Sequence, residues 1–521
     1  LLCEACMKMA FPCAGSSPTN HLTKHMFRNS LLAIGFGLAT TASAQFDGFA
    51  LYNLSNNTTA RLINASQQIA YTWTCPTNFS YAMALKPNGN LVRSAVNSGN
   101  QINTAAVSGR VQELNPQGQV VWDFIYSTAD YVTHHDICLM PNGNVLLLAY
   151  VKKTVAELQA LGYTGASAKY PGRIIEIQPT GSTAQVVWQW EMLDRFIQYA
   201  DAAKPNYMPI AENPNRMNIN VSVSGGAGPG GIDWFHENGI DYNEELDQIV
   251  FSARYLSEIF IIDHSTTTAE AAGHTGGNGG RGGDFLFRWG KPANYGVSGT
   301  QRITAAVHDP KWVKGGAMDG WISFFNNSGG SGNSSVVDAI NPAMDGFNYP
   351  WTPGTVWGPN TYDFRHQCLA NASGQSAAEL MPNGNVFCAV SQQYMYEVNS
   401  SNQLVWQYNA GPQKGFRYTC DHPGIITLLN DPCGITTEVL TEEAAVSFSM
   451  FPNPANQQVS LVGVEVETLR AYVVLDASGR TVRRQLPDWT IDVSTLPDGV
   501  YTIVLEHSTG DRQSRKLVVA H

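Results

Sequence analysis

Short apolar runs separated by polar turns recur along most of this chain. Three stretches share one form, an apolar run, the turn Pro-Asn-Gly-Asn and a second apolar run: A-L-K-P-N-G-N-L-V (84–92), C-L-M-P-N-G-N-V-L (138–146) and E-L-M-P-N-G-N-V-F (379–387). A glycine-containing turn between two strand-like runs indicates a β-hairpin. Residues 240–252 are a diverged copy, with Asn243-Glu-Glu at the turn.

A second recurring unit ends near a tryptophan. It occurs at Ile69–Trp73, Val120–Trp122, Val186–Trp190, Phe285–Trp289 and Leu404–Trp406. One repeat therefore has two hairpins, or four strands, at a period of roughly 50 to 70 residues. This arrangement predicts an all-β protein in which residues 45–424 form a six-bladed β-propeller, with the fifth blade, about 300–365, the least regular. A β-sandwich is the alternative, but it does not naturally repeat these paired units.

The repeat pattern stops near Gly424, and residues 425–447 read as a linker. Short alternating strands with Asp/Gly turns fill residues 448–521, which predicts a small β-sandwich. The opening F-P-N-P-A, the strand L-P-D-G-V-Y and the basic-apolar ending resemble the C-terminal sorting domain of the type IX secretion system of Bacteroidetes. That resemblance implies contact with the type IX machinery and passage through the outer membrane. Removal of the domain would follow, with release or surface attachment.

The N-terminal region predicts export as well. A short positive region begins at Met26, an apolar run spans 31–42, and Ala42-Ser43-Ala44 suits cleavage, so residues 26–44 form a predicted signal peptide. Residues 1–25 then read as sequence upstream of the true start. A membrane anchor is the alternative, but the apolar run is too short to span a bilayer.

Composition narrows the possible partners. Charged residues make up only 14% of the chain and the net charge is -11, so no basic face for nucleic acid is expected. An anionic substrate would have to be attracted by local positive groups. The six cysteines after the signal peptide lack metal-ligand spacing; Cys138 and Cys388 fit buried thiols, and Cys420 and Cys433 could form a disulfide.

Several polar residues stand where the innermost strand of a blade would begin. Tyr81, His135 and Ser376 each precede the proline of a Pro-Asn-Gly-Asn turn by six positions. His236 and His308 precede the corresponding strands of their own blades. Because inner strands line the central channel of a propeller, such residues should converge. The predicted set is His135, His236, Asn238, Arg254, His308 and Ser376, with His236 and Asn238 on one side of their strand by alternation.

Other interpretations of these residues remain open at this point. A histidine beside a strand is usually an ordinary core or surface residue, and His134, His264 and His366 fit that description. Arg254 could pair with Asp136 or Asp309 inside the channel. Three histidines also suggest zinc, although a permanently charged arginine nearby disfavours a bound cation.

Three motifs resemble the bacterial arylsulfate sulfotransferases that do not use phosphoadenosine phosphosulfate. They are H-H-D-I-C-L-M-P-N-G-N (134–144), W-F-H-E-N-G-I-D-Y-N with the later S-A-R (234–254), and V-H-D-P-K-W (307–312). The resemblance covers most of residues 80–410. It implies transfer of a sulfuryl group from an aryl sulfate to a phenol, by a ping-pong route through a sulfo-histidine and without a cofactor.

The resemblance also implies residue roles. His308 matches the nucleophile, His236 and Asn238 match the family's H-x-N motif, and Arg254 matches an arginine eighteen positions after that histidine. His135 matches the histidine of an earlier blade.

Further matches concern substrate contacts. His134 is a second option beside His135, Ser376 stands where the family has threonine, and Tyr81 is an aromatic residue that could hold an aryl ring. Arg254 and Asn238 would stabilise sulfonate oxygens, while His236 or His135 would exchange the phenolic proton.

Three other functions fit parts of this pattern. A non-catalytic cell-surface propeller would bind sulfated glycans or a protein without turnover. A metal-dependent hydrolase would use the three histidines as ligands. A sulfatase of the same mechanism would use water as acceptor.

Overall fold

A computed structural model describes residues 46–298, 304–433, 448–476, 481–508 and 512–521. The predicted upstream segment (1–25) and signal peptide (26–44) lie outside these residues, as does most of the predicted linker. No helix among the described residues has the length and apolar character needed to cross a membrane.

Six four-stranded antiparallel sheets form the large domain, so the predicted six-bladed propeller is confirmed. The strands of the first three blades are β1 (Phe49–Asn53), β2 (Thr59–Asn64), β3 (Ile69–Thr74), β4 (Phe79–Leu85), β5 (Leu91–Val96), β6 (Gly109–Leu114), β7 (Val120–Ile125), β8 (Tyr131–Leu139), β9 (Val145–Val151), β10 (Gly172–Thr180) and β11 (Thr183–Glu191). Helix α1 (Val155–Ala160) lies between β9 and β10.

Blades four to six follow the same plan. Their strands are β14 (Glu237–Asn243), β15 (Gln248–Ala253), β16 (Glu258–Asp263), β17 (Phe285–Trp289), β18 (Val307–Trp312), β19 (Ile322–Asn326), β20 (Val336–Ile340), β21 (Phe364–Gln367), β22 (Ala377–Leu380), β23 (Val386–Ala389), β24 (Met395–Val398) and β25 (Leu404–Tyr408). A two-residue parallel pair, β12 (Phe196–Ile197) and β13 (Met217–Asn218), precedes them, and α2 (Thr268–Ala272) follows β16.

The ring is closed by strands from its two ends. Strand β26 (Gly415–Tyr418) pairs antiparallel with β1 and supplies the inner strand of the first blade. Helix α3 (Pro423–Leu429) follows, and a disulfide joins Cys420 to Cys433 beyond it. The first blade thus combines three strands from the beginning of the domain with one strand from its end. Pairing of β26 with β1 therefore holds the two ends of the domain together.

The Pro-Asn-Gly-Asn turns join the inner strand to the second strand in blades two, three and six, as predicted. Their glycines have positive φ, for example 80° at Gly89, which favours glycine over a residue with a side chain. The last asparagine of each turn donates a hydrogen bond to a glutamate on the third strand of its blade: Asn90 to Glu113, Asn144 to Glu176 and Asn385 to Glu397. In these three blades the bond ties the third strand to the turn of the first hairpin.

Carboxylates on the inner strands join neighbouring blades. Each accepts a backbone N–H from the inner strand of the next blade: Asp136 from Ile240 (3.1 Å), Asp241 from Trp312 (2.9 Å), Asp309 from Ala378 (3.0 Å) and Glu379 from Arg417 (3.0 Å). A backbone donor that is buried away from water needs such a partner, so these contacts set the spacing of the inner strands.

The C-terminal domain consists of two packed sheets, as predicted. Its strands are β27 (Ser449–Phe451), β28 (Gln458–Val462), β29 (Leu469–Leu475), β30 (Thr481–Gln485), β31 (Thr490–Asp492), β32 (Gly499–His507) and β33 (Arg512–Val519). Apolar side chains from both sheets, including Val459, Val474 and Ile503, form one buried core.

Candidate active site

The inner strands of blades three, four and five bulge where their histidines stand. The pairing register shifts between His134 and Ile137, between Glu237 and Gly239, and between His308 and Lys311. A β-bulge redirects side chains and is common beside active sites.

Positive φ angles accompany these bulges. His135 has a φ of 51° and His236 a φ of 59°, a conformation that L-residues with a side chain rarely adopt. Such backbone costs about 1–3 kcal/mol per residue and persists only where its surroundings hold it. Strained backbone is thus present at two of the predicted functional residues, as it is at other non-glycine positions with positive φ.

The bulges direct five of the predicted residues into one cavity of about 250 Å³. Its walls include Tyr81, His135, His236, Arg254 and His308. The remaining lining residues are Ala105, Ala106, Tyr255, Ser373, Gly374, Gln375 and Gln392. The cavity therefore combines three imidazoles, a guanidinium and two phenol rings at the entrance of the central channel.

His308 is held as a neutral imidazole in one tautomer. Its Nδ1–H donates to the carbonyl oxygen of Ala306 (2.8 Å) and to Oδ1 of Asn327 (2.7 Å). Its Nε2 accepts the backbone N–H of Gln375 at 3.0 Å. Burial, with the positive charge of Arg254 nearby, lowers the pKa of His308 to about 3. Asp309 makes no part of this arrangement, because backbone carbonyl and amide oxygens fix the tautomer.

His236 forms a histidine–aspartate pair with Asp233. The Nδ1 atom lies 2.5 Å from Oδ2 of Asp233, which is fully buried and also accepts the hydroxyl of Tyr150 at 3.1 Å. A carboxylate in this position fixes the tautomer and the orientation of the ring. The rings of His236 and His135 are 4.4 Å apart in an edge-on arrangement.

His135 is supported by a second histidine and by an aromatic ring. Its Nδ1 is 2.8 Å from Nδ1 of His134, and the ring of Tyr81 stacks at 5.9 Å. Burial lowers the pKa of His135, and repulsion from any protonated neighbouring imidazole and from Lys414 acts in the same direction. This imidazole is therefore neutral at ordinary pH.

Arg254 supplies the fixed positive charge of the cavity. Among the described residues that line it, no other carries a permanent charge. Its Nη2 donates to the carbonyl oxygen of Ser373 at 2.8 Å, whereas its buried Nε has no hydrogen-bond partner in the described part of the chain. A buried guanidinium N–H left free is a donor available to an anionic ligand.

Three predicted residues lie behind the cavity instead of lining it. His134 is buried and stacks on Tyr150 at 3.6 Å. The amide of Asn238 donates to the carbonyl oxygen of Val307 and accepts from Ser252, so it supports the strand that carries His308. The hydroxyl of Ser376 accepts the backbone N–H of Ser391.

Strand alternation failed for Asn238 because it stands within the bulge after His236. The bulge adds one residue to the strand, and the side chains at 236 and 238 no longer share a side. The substrate roles of Asn238, His134 and Ser376 stay predictions.

A buried ion cluster joins the inner strands of blades three and five. The Nζ atom of Lys414 lies 2.7 Å from Asp136 and 2.8 Å from Asp309, and all three side chains are buried. These aspartates directly follow His135 and His308. Arg254 pairs with neither of them, so this alternative for Arg254 is wrong.

The three histidines are not arranged as a metal centre. In the described ranges, one group of three possible ligands has donor atoms within 4.8 Å of one another, namely Asp47, Cys420 and Cys433. Two of its members form the disulfide.

Four residues of the site were missed at the sequence level: Asp233, Asn327, Gln375 and Lys414. Asp233 stands three positions before His236 and could have been found as its partner. Asn327 directly follows β19 in the same blade as His308, Gln375 precedes the inner strand of the next blade, and Lys414 precedes β26; the local sequence gives no sign of these three.

Together, the six sheets and the cavity define a β-propeller protein whose cavity combines three imidazoles with a guanidinium. Residues 70–418 match the Arylsulfotransferase (ASST) family, and the chain belongs to that family. This membership supports aryl sulfotransferase activity in general. Residues 449–520 match the secretion system C-terminal sorting domain, which indicates type IX export through the envelope to the cell surface or the medium.

Other comparisons add less. No curated protein matches the chain. A protein of unknown function from Bacteroides caccae is similar in structure, with 11% identity, a TM-score of 0.39 and coverage of 71% of this chain and 98% of that one. The periplasmic gluconolactonase of Pseudomonas aeruginosa has 10% identity, a TM-score of 0.34 and coverage of 91% and 96%. Similarity at this level supports no conclusion about activity.

Proposed function

We propose that the protein moves a sulfuryl group from an aryl sulfate to a phenol through a sulfo-histidine at His308. The observation that carries this proposal is the neutral His308, whose Nδ1 proton is held by two carbonyl-type oxygens while Nε2 belongs to a cavity that also contains Arg254. A neutral imidazole is a nucleophile, and a fixed guanidinium can compensate the charge of a sulfonate.

In the first half-reaction, Nε2 of His308 attacks sulfur. The N–S bond forms as the bond from sulfur to the aryl oxygen breaks. The departing phenolate takes a proton from His236, and the second half-reaction returns a proton to the same ring. The N–H of Gln375 must leave Nε2 before attack, at the expense of one hydrogen bond of about 1 kcal/mol. Once released, this N–H and the free Nε–H of Arg254 are available to sulfonate oxygens. Each well-placed donor is worth about 3 to 4 kcal/mol.

In the second half-reaction, a phenol attacks the sulfo-histidine. The new S–O bond replaces the N–S bond, and the phenolic proton passes to a base. We assign His236 as this base because its Nδ1 is held by the carboxylate of Asp233, whereas Nδ1 of His135 faces another histidine and has no carboxylate partner.

The decisive experiment uses a chromogenic aryl sulfate with and without excess phenol. We expect release of the chromophore to depend on phenol, and a sulfuryl adduct to be visible by intact-protein mass when phenol is absent. His308→Ala should lose both signals, while His274→Ala, which removes an exposed imidazole, should keep them.

Other outcomes would select the other functions. Chromophore release that phenol does not accelerate would indicate a sulfatase. No release from a folded protein with any aryl donor would indicate a binding propeller. Release that persists in His308→Ala would exclude the sulfo-histidine route.

A further inference from the structure

A larger cleft adjoins the catalytic cavity on the side of blade two. It has a volume of about 560 Å³ and shares Tyr81 and Ala106 with the catalytic cavity. Its wall is the connection between β5 and β6, and the backbone of Ala106 in this connection accepts the N–H of His135 at 3.0 Å. The cleft therefore borders the candidate active site.

The chemistry of this cleft is polar but uncharged. None of the residues that line it carries a formal charge, and amide and hydroxyl side chains predominate: Ser55, Asn56, Ser80, Asn97, Ser98, Asn100, Asn103 and Thr104. Such groups both donate and accept hydrogen bonds, as the hydroxyl groups of a sugar do. A charged ligand would find no counter-charge, and an apolar ligand would leave these groups unpaired.

Some of these side chains hydrogen-bond within the protein, and others make no hydrogen bond in the described structure. Asn100 donates to the carbonyl oxygen of Ser108 at 3.2 Å and accepts from Ser127 at 2.7 Å, so it fixes the connection. In contrast, Asn103 makes no side-chain hydrogen bond in the described structure, and Oγ1 of Thr104 is buried without a partner. Both side chains therefore have hydrogen-bonding capacity that the protein does not use.

The catalytic cavity is too small to hold a phenol that carries a large substituent. At about 250 Å³, the catalytic cavity is smaller than the roughly 300–1,000 Å³ of sites that enclose drug-sized ligands. A phenol ring fits near His308, but a large substituent on that ring must extend elsewhere. The cleft beyond Tyr81 is the adjoining space.

We propose that this cleft binds the hydroxyl-rich, uncharged part of the acceptor, so that the preferred acceptors are phenolic glycosides. The inference rests on the proposed function. The phenolic oxygen of the glycoside would form the S–O bond as the N–S bond of His308 breaks, with the proton passing to His236. The sugar would hydrogen-bond to Thr104 and Asn103.

The test compares three acceptors of nearly equal phenol reactivity, each a 4-alkoxyphenol: 4-methoxyphenol, the β-glucoside of hydroquinone and the matching β-glucuronide. With a chromogenic aryl sulfate as donor, we expect kcat/KM for the glucoside to exceed that for 4-methoxyphenol about tenfold. The anionic glucuronide should fall below the glucoside. These values follow from one or two hydrogen bonds at about 1 kcal/mol each.

Two variants keep the result specific to the cleft. Thr104→Val removes a hydroxyl at constant shape, and Asn103→Ala removes an exposed, unbonded amide. Each should lower kcat/KM for the glucoside about 2- to 10-fold and leave 4-methoxyphenol unchanged. Asn456→Ala, an exposed asparagine in the C-terminal domain, should change neither.

Equal use of the glucoside and 4-methoxyphenol, or equal effects of the variants on both, would overturn the inference and leave the proposed function standing. A folded enzyme that sulfates none of the three acceptors would overturn the proposed function and, with it, this inference.

Discussion

Replacing Lys414 with methionine should destabilise the propeller strongly, because this lysine is the shared partner of two buried carboxylates. Its Nζ lies 2.7 Å from Asp136 and 2.8 Å from Asp309. At an effective dielectric constant of about 20, each contact corresponds to roughly 6 kcal/mol of Coulomb attraction. Desolvation of three buried charges offsets most of that gain. Removing the lysine alone leaves the carboxylates buried without this partner, which costs about 3–5 kcal/mol.

Thermal unfolding of the full chain measures this cost. For a domain that spans residues 49–418, an unfolding entropy of about 2.1 cal/mol/K per residue converts it to a fall in Tm of about 4 to 6 °C. The matched control is Lys414→Met combined with Asp136→Asn and Asp309→Asn. Each asparagine keeps a carbonyl oxygen for the backbone N–H that its aspartate accepts, so most of the lost stability should return.

The pKa values of the two aspartates give an independent readout. Burial raises the pKa of Asp136 more than Lys414 lowers it, whereas Lys311 and Lys414 together bring the pKa of Asp309 below its usual value despite burial. In Lys414→Met both pKa values should rise. A single variant that melts within 1 °C of the wild type, or a triple variant no more stable than the single one, would refute the reasoning.

Two further predictions concern stability away from the cavity. Carboxylates of Asp247 and Glu176 outweigh burial and raise the pKa of His264 to about 9, so its contribution of about 3 kcal/mol is fully present below pH 6.5 and is lost as pH rises through about 9. In denaturant titrations, the free energy of unfolding of the wild type should exceed that of His264→Gln by more at pH 6 than at pH 10. A difference that does not change with pH would contradict this prediction. Replacing Cys420 and Cys433 with serine should cost about 3 kcal/mol and leave turnover unchanged, whereas lost turnover in folded protein would tie the disulfide to the site.

The regular part of the fold could be predicted because its signals are local. A Pro-Asn-Gly-Asn turn between apolar runs specifies a hairpin within a dozen residues, and repetition of that hairpin implies blades. Closure of the ring is different. Strand β26 pairs with β1, which is more than 360 positions away along the chain, and nothing in the segment Gly415–Tyr418 marks it as an inner strand.

The candidate site, like the fold, could be predicted only as far as local sequence signals reach. The sequence indicated which inner strands carry histidines, and Tyr81, His135, His236, Arg254 and His308 do share one cavity. The sequence did not indicate which of the predicted side chains would point away from the cavity. Bulges and positive φ angles at these strands break the alternation on which the placement of Asn238 depended. Two side-chain or backbone partners of His308 were also missed. Asn327 reaches the imidazole through the β18–β19 hairpin of the same blade, whereas Gln375 comes from the next blade, so packing of two blades brings it there.

The dipeptides His135-Asp136 and His308-Asp309 have the same arrangement in the folded protein. In each pair, the histidine lines the cavity while the aspartate turns into the channel, binds Lys414 and accepts a backbone N–H from the next blade. Each dipeptide thus supplies one side chain that lines the cavity and one side chain that bonds its blade to the neighbouring blade. Lys414 comes from the segment that closes the ring, so closure of the fold and placement of His135 and His308 are energetically coupled. A chain that fails to pair β26 with β1 should therefore lose the site before it loses the blades.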